Sequence, residues 1–389
     1  MYRVLLIAIA LILYGSLWPW QYNPAHATGN PLSILLHSWS AKTGPADMED
    51  IVVNLLLYIP VGMFGYLALD RHHHRRLRLI GPIILGFVLS CSVEMLQIFD
   101  NPRNCSAVDV LCNTVSSAIG VLLGYVFRQS HLAGLSRAAI AGRPHSAGPL
   151  VLIYIWVGFQ TIPMFPLTFK ILPKIHALWP AHFSVIDALA SFTAWLIVAR
   201  LLEATYDLEI ARLLVLLLSL LVPAKLFIAH RTFTIAELAG LIASVIVWNT
   251  VLARLASRTA IISGLTVLML IVQGLRPFHF GPHNVFSWVP FQSLLLSPWE
   301  GALVILCQKS FWYGSAVWLL FSNFRRLLPA TGIVAAILAG IEIIQIRLPG
   351  RTADITDPVL AILLGLILWF LEVHSRRARA SLSDPVLAV

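Results

Sequence analysis

The stretch LIGPIILGFVLSCSVEMLQIF, residues 79–99, is apolar for the width of a membrane and then places Glu94 and Gln97 near its end. At 1.5 Å per residue such a run is about 30 Å long, the thickness of the hydrocarbon core of a bilayer. A carboxylate in hydrocarbon costs about 3 kcal/mol on insertion scales. Residues three apart share one helix face, so the Glu94 and Gln97 face must look into protein or a wet cavity.

Apolar runs of similar kind recur along all 389 residues. The expected spans lie near 3–20, 51–69, 79–99 and 107–127, then 150–165, 183–200, 213–230 and 235–253, then 260–276, 301–321, 329–347 and 355–373. The expected fold class is all-α: a polytopic integral membrane protein with about twelve transmembrane helices in three four-helix modules. Composition agrees. Apolar residues make up 58% and charged residues 12%, with mean hydropathy +0.83. A soluble domain carries about a quarter charged residues. The net charge of +9 is spread in short Arg clusters between apolar runs, which is a topogenic pattern and no basic face for nucleic acid.

Those clusters set an expected orientation. With the N-terminus inside, cytoplasmic segments hold 17 of the 27 Lys and Arg, among them Arg71, Arg75, Arg76, Arg78, Arg325 and Arg326, and outer segments hold eight. Both termini are then cytoplasmic, and Trp18, Trp20, Trp179, Trp288 and Trp299 fall at the outer interface. Arg3 with the run Val4–Leu17 resembles a signal peptide, and Ala25-His26-Ala27 offers a small-x-small site. That site lies about ten residues beyond the apolar run, too far for cleavage, so the segment is read as a helix. Of four cysteines, Cys105 and Cys112 fall near the outer face, where a disulfide is one option and free thiols in apolar sites the expectation.

The repeat shows in the third and fourth helices of each module. Glu94-x-x-Gln97 precedes Arg103, and Asp109 follows six residues later; Glu342-x-x-Gln345 precedes Arg351, and Asp357 follows six residues later. In the middle module Arg231 is followed six residues on by Glu237, while Val222 and Lys225 stand in the Glu and Gln places. The first helices end alike, in Trp18-Pro19-Trp20, Ile162-Pro163-Met164 and Arg276-Pro277-Phe278. The module boundaries are 1–128, 150–254 and 259–374, with a linker at 129–149 and a cytoplasmic tail at 375–389. Each module has an even number of helices, so the copies are parallel repeats.

The Glu-x-x-Gln pair, the short loop ending in Arg, and Asp109-Val110-Leu111 leading to Asn113-Thr114 resemble the VanZ-like family. So does Asn54 ahead of Tyr58-Ile59-Pro60-Val61-Gly62. The resemblance spans most of modules one and three, although Ala361 stands where module one has Asn113. It implies a membrane protein of the bacterial envelope, in the cytoplasmic membrane, with a link to antibiotic resistance through the glycopeptide teicoplanin.

The candidate site residues are Glu94, Gln97, Arg103, Asp109 and Asn113 in module one, and Glu342, Gln345, Arg351, Asp354 and Asp357 in module three. Each Arg is expected to fold back and pair with the Glu nine residues before it, as a bidentate Arg–carboxylate pair. A plainer account exists for the acids. Ser106-x-x-Asp109, Thr234-x-x-Glu237 and Asp354-x-x-Asp357 are capping-box spacings at helix starts. Lys225 is expected to snorkel to the outer face. The run Arg71-His72-His73-His74-Arg75-Arg76 reads as a solvated anchor for anionic lipid, and Asp187 and Glu300 as helix caps.

Metal-protease, P-loop and serine-hydrolase motifs are absent from the sequence, and no metal or cofactor is expected. The leading expectation is recognition of an amphiphile, such as a lipid-linked envelope precursor or an amphiphilic antibiotic, in polar pockets at the outer leaflet. Its partners are then the lipid bilayer and that precursor, with no nucleic acid. The alternatives are an intramembrane enzyme using a Glu as general acid or base, a transporter, and a scaffold subunit. Without a visible nucleophile, the enzyme ranks below recognition.

Overall fold

The structure is a computed structural model that describes residues 2–17, 22–23, 29–39, 51, 54–55, 57–69, 75–99, 105–140, 147–162, 183–225, 228, 231, 233–281 and 285–383. Among the described residues there are helices and turns, with one isolated bridge between Ser287 and Asp354. Among the described residues seven helices are long and apolar enough to cross a membrane, and the protein is a multi-pass helical membrane protein. The chain forms two compact units, residues 1–141 and 142–389.

The first unit comprises α1 (Tyr2–Ser16), α2 (Pro31–His37), α3 (Ile59–Ala68), α4 (Arg75–Gln97) and α5 (Ala107–Ile140). Small residues let α3 and α5 approach backbone to backbone. A Cβ on Gly62 would lie 1.9 Å from the Ser117 carbonyl oxygen, and one on Gly120 2.2 Å from that of Ile59. Lipid tails are as apolar as leucine, so helices in a bilayer gain by such close contact. α2 was not expected. Asn30 caps it by accepting the Leu32 N–H, with Pro31 in the first turn. At its other end the Ser38 hydroxyl accepts the Ala107 N–H at 2.9 Å and so caps α5 as well. α5 runs on to Ile140, through part of the stretch read as a linker.

The second unit comprises α6 (Ala147–Thr161), α7 (Val185–Thr205), α8 (Leu208–Ser219), α9 (Leu221–Ala224), α10 (Ile235–Thr250), α11 (Arg258–Gly274), α12 (Gln292–Leu295), α13 (Trp299–Phe324), α14 (Leu327–Gln345) and α15 (Thr356–Ser383). Its core is aromatic. Trp156 of α6 is fully buried, edge-on to Trp195 of α7 at 4.7 Å between ring centres, and near Phe311 of α13. At one end Arg258 grips Glu203 through two bonds of 3.1 and 2.8 Å, and Arg200 donates to Thr259. This ties the end of α7 to the start of α11.

The span expected at 213–230 is broken. Helix α8 stops at Ser219, and α9 is a single turn containing Pro223, which has no N–H to donate and restricts the residue before it. α6 ends ahead of Pro163 for the same reason. All four cysteines are free thiols.

Candidate functional site

In the first unit the site is the corner between α4 and α5. Ser106 caps α5, its hydroxyl accepting the Asp109 N–H at 3.4 Å. An ordinary capping box would have the acid at the third position reach back to the cap's own N–H. Here Glu94, from the preceding helix, accepts the Ser106 N–H at 2.9 Å. That leaves the Asp109 carboxylate to other partners. Gln97 donates through Nε2 to the Ser16 carbonyl at 2.8 Å and so ties α4 to the last residue of α1. Asn113 donates to the Ser90 hydroxyl at 2.9 Å. Glu94, Gln97, Asp109 and Asn113 are all buried. Burial, and then the Glu94 carboxylate, push the neighbouring Cys105 thiol up to about 11.

In the second unit the corner between α14 and α15 has the same plan. Glu342 accepts the Asp354 N–H at 2.9 Å, and Gln345 donates through Nε2 to the Gly274 carbonyl, at the end of α11, at 2.9 Å. Asp354 caps α15 by accepting the Thr356 N–H at 2.7 Å, and its other oxygen accepts the Ser293 hydroxyl at 3.1 Å. Two further side chains converge here. Lys309 donates to one oxygen of Asp357 and Tyr313 to the other, each at 2.5 Å. The Lys309 side chain is a third exposed, whereas that of Asp357 is 9% exposed. A cation inside a spanning helix thus stands at the mouth of a buried acidic cluster.

Arg351 does not fold onto Glu342. Its Nε donates to the Arg276 carbonyl at 2.8 Å and its Nη2 to the Gln273 carbonyl at 2.7 Å. The last carbonyls of a helix lack intrahelical donors, and Arg351 supplies them at the end of α11. Glu342 meanwhile finds its donor in a backbone amide. Arg231 repeats the arrangement atom for atom on α6, with Nε to the Ile162 carbonyl at 2.7 Å and Nη2 to the Phe159 carbonyl at 2.5 Å. Arg103 and the His72–His74 run lie outside the described residues, as does the Glu300 side chain.

Lys225 does not snorkel. It is 5% exposed and paired with Glu237, whose N–H is capped by Thr234. The cap of α15 is received by Thr356 where Asp357 was expected. Asp187 sits in a capping turn with Ser184 and pairs with Arg276 at 2.6 Å. In the sequence Lys309 stands out only as a charge inside a helix, with no partner assigned, and Tyr313 does not stand out at all. Their signal was the four-residue spacing that puts both on one face of α13, the spacing of Asn54 and Tyr58 in the first unit.

The arrangement offers a donor, Lys309, beside the acceptors of Asp357. Among the described residues no group of three His, Cys, Asp or Glu is placed to hold a metal ion. No curated protein and no solved structure matches the chain. A family model does match its first third: residues 2–128, which contain α1, α3, α4 and the Glu94 corner, are similar to the VanZ/LLP1 family.

Proposed function

We propose that this is a VanZ-like protein of the bacterial cytoplasmic membrane that recognises an amphiphile, a lipid-linked envelope precursor or an amphiphilic antibiotic, at its buried acidic corners. The carrying observation is the Lys309–Asp357 pair with Tyr313, inside a spanning helix and open on one side. A buried ion pair is weak as a stabilising device, because apolar side chains of similar volume do as well or better. A part-exposed one gives a polar or phosphorylated head a donor and an acceptor at membrane depth, while the lipid tail lies along the helices.

In this proposal the chain holds three parallel copies of a four-helix module. The four shorter apolar helices α1, α3, α6 and α11 and the broken pair α8–α9 join the seven long ones as spans, making about twelve. The matching bonds of Glu94 and Glu342, of Gln97 and Gln345, and of Arg231 and Arg351 support it. The middle copy, with Val222 in the Glu place and Lys225 sealing Glu237, serves as scaffold. Both termini are then cytoplasmic, and the corners face the outer leaflet.

Binding of a polyprenyl phosphate to the protein in nanodiscs tests the proposal. Wild type is expected to give a saturable isotherm, and Lys309→Gln, which keeps a donor but loses the charge, to weaken it by about tenfold, the worth of one charge-assisted contact. Equal binding by the two proteins would remove Lys309 from the site.

A further inference from the structure

Between α11 and α13 the chain runs from Phe278 to Pro298 without one Asp, Glu, Lys or Arg. A water-exposed segment of this length would carry several. Yet large apolar side chains point out of the fold: Phe280 is 75% exposed, Val285 93%, Trp288 74% and Leu296 70%. Among its described residues the one helix, α12, is four residues long and cannot cross a membrane.

The loop is a built structure. Ser287 N–H donates to the Ala353 carbonyl at 3.0 Å, and Ile355 N–H returns to the Ser287 carbonyl at 3.1 Å. Gly281 N–H donates to the Arg347 carbonyl at 2.8 Å, and Phe291 N–H to the Thr356 hydroxyl at 2.8 Å. Phe278 and Phe291 hold left-handed backbone angles, φ 65° and 63°, which bulky residues adopt only where their surroundings fix them. Bonds to the α14–α15 connection thus satisfy part of its backbone and leave an apolar outer side.

We infer that the described parts of this loop, 278–281 and 285–296, lie in the lipid leaflet, with Phe280, Val285, Trp288 and Leu296 set among the acyl chains just below the headgroups. Three observations choose lipid over a protein partner. α11 has 17 residues, about 25 Å of helix, shorter than the hydrocarbon core, so the loop starts at or below the hydrocarbon boundary. The outer face of α14 carries Ile343 and Ile344 at the same end, 64% and 40% exposed, so the apolar surface continues from helix to loop. The loop offers no fixed charge of either sign to select a protein, while an indole at this depth is where Trp prefers to sit. This inference does not rest on the proposed ligand or on which side of the membrane the loop occupies.

The test uses full-length protein in vesicles of phosphatidylethanolamine and phosphatidylglycerol. Val285→Cys is spin-labelled in a background with the four native cysteines replaced. The ratio of oxygen to nickel-chelate collision rates is expected to match that of a label at Ile343→Cys and to exceed several-fold that of a water-facing label in the C-terminal tail. A low ratio, equal to that tail label, overturns the inference. So does a label shielded from both reagents and broadened by spin–spin coupling, which would mean a second copy covers the loop. Independently of the cysteine background, the fluorescence lost in Trp288→Phe is expected to be blue-shifted and quenched by lipids brominated near the glycerol. Quenching of that component by iodide and not by brominated lipid also overturns it.

Discussion

Replacing Asp357 with Ala is expected to destabilise the protein by about 3 kcal/mol, the low end for breaking a buried ion pair because Lys309 keeps a third of its surface. The change strands two donors. The Lys309 ammonium loses its counter-ion inside a spanning helix, and the Tyr313 hydroxyl loses its acceptor in the core. The double variant Lys309→Met with Asp357→Leu removes both charges and leaves the Tyr313 hydroxyl as the one stranded donor, so it is expected to lose only about 1–2 kcal/mol, less than the single variant. Melting of purified protein in detergent reads both. A full-strength Asp357→Ala protein would mean that the pair is not formed. A double variant as weak as the single one would mean that the cluster is needed for folding, which would undercut its assignment to recognition.

The second large effect belongs to the arginines. Arg351→Ala and Arg231→Ala each remove two charge-assisted bonds to the carbonyls that end a helix, α11 in one case and α6 in the other. Such bonds are worth about 1.5–3 kcal/mol each, so a loss of about 3 kcal/mol is expected after the chain end relaxes. Lysine carries one compact ammonium and cannot span two carbonyls, so Arg→Lys is expected to recover less than half. The two sites should respond alike because the same atoms bond the same places on their helices. A strong effect at one and none at the other, measured by melting, would break that equivalence.

The long apolar runs were legible in the sequence because length and hydropathy are additive along the chain. α13 and α14 lie within a few residues of their expected ends. The break between α8 and α9 was less so, since Leu213–Leu221 reads as one run and only Pro223 signals otherwise. The spacing of Glu, Arg and acid singled out Glu342 and Asp354, which the structure brings together, but gave Glu342 the wrong partner. Spacing shows that groups are near, not which donor meets which oxygen. Every residue carries a backbone N–H, so the Asp354 amide left no mark in the sequence. A helix end needing donors is equally silent, and that is what drew Arg351 away. Lys309 was visible as a charge in a span, yet its role depended on Asp357, nearly fifty residues downstream.

Glu94 and Glu342 decide between a merely structural corner and a working one. Glutamine keeps a carbonyl oxygen where each carboxylate accepts the Ser106 or Asp354 amide, so the fold should survive Glu94→Gln with Glu342→Gln. The direct measurement is complementation of a deletion strain by this double variant, with membrane protein level and growth under envelope-active antibiotics scored together. Wild-type abundance with loss of complementation is the predicted result. Wild-type abundance with full complementation would show that the two acids serve only to hold helix ends, and would contradict the account.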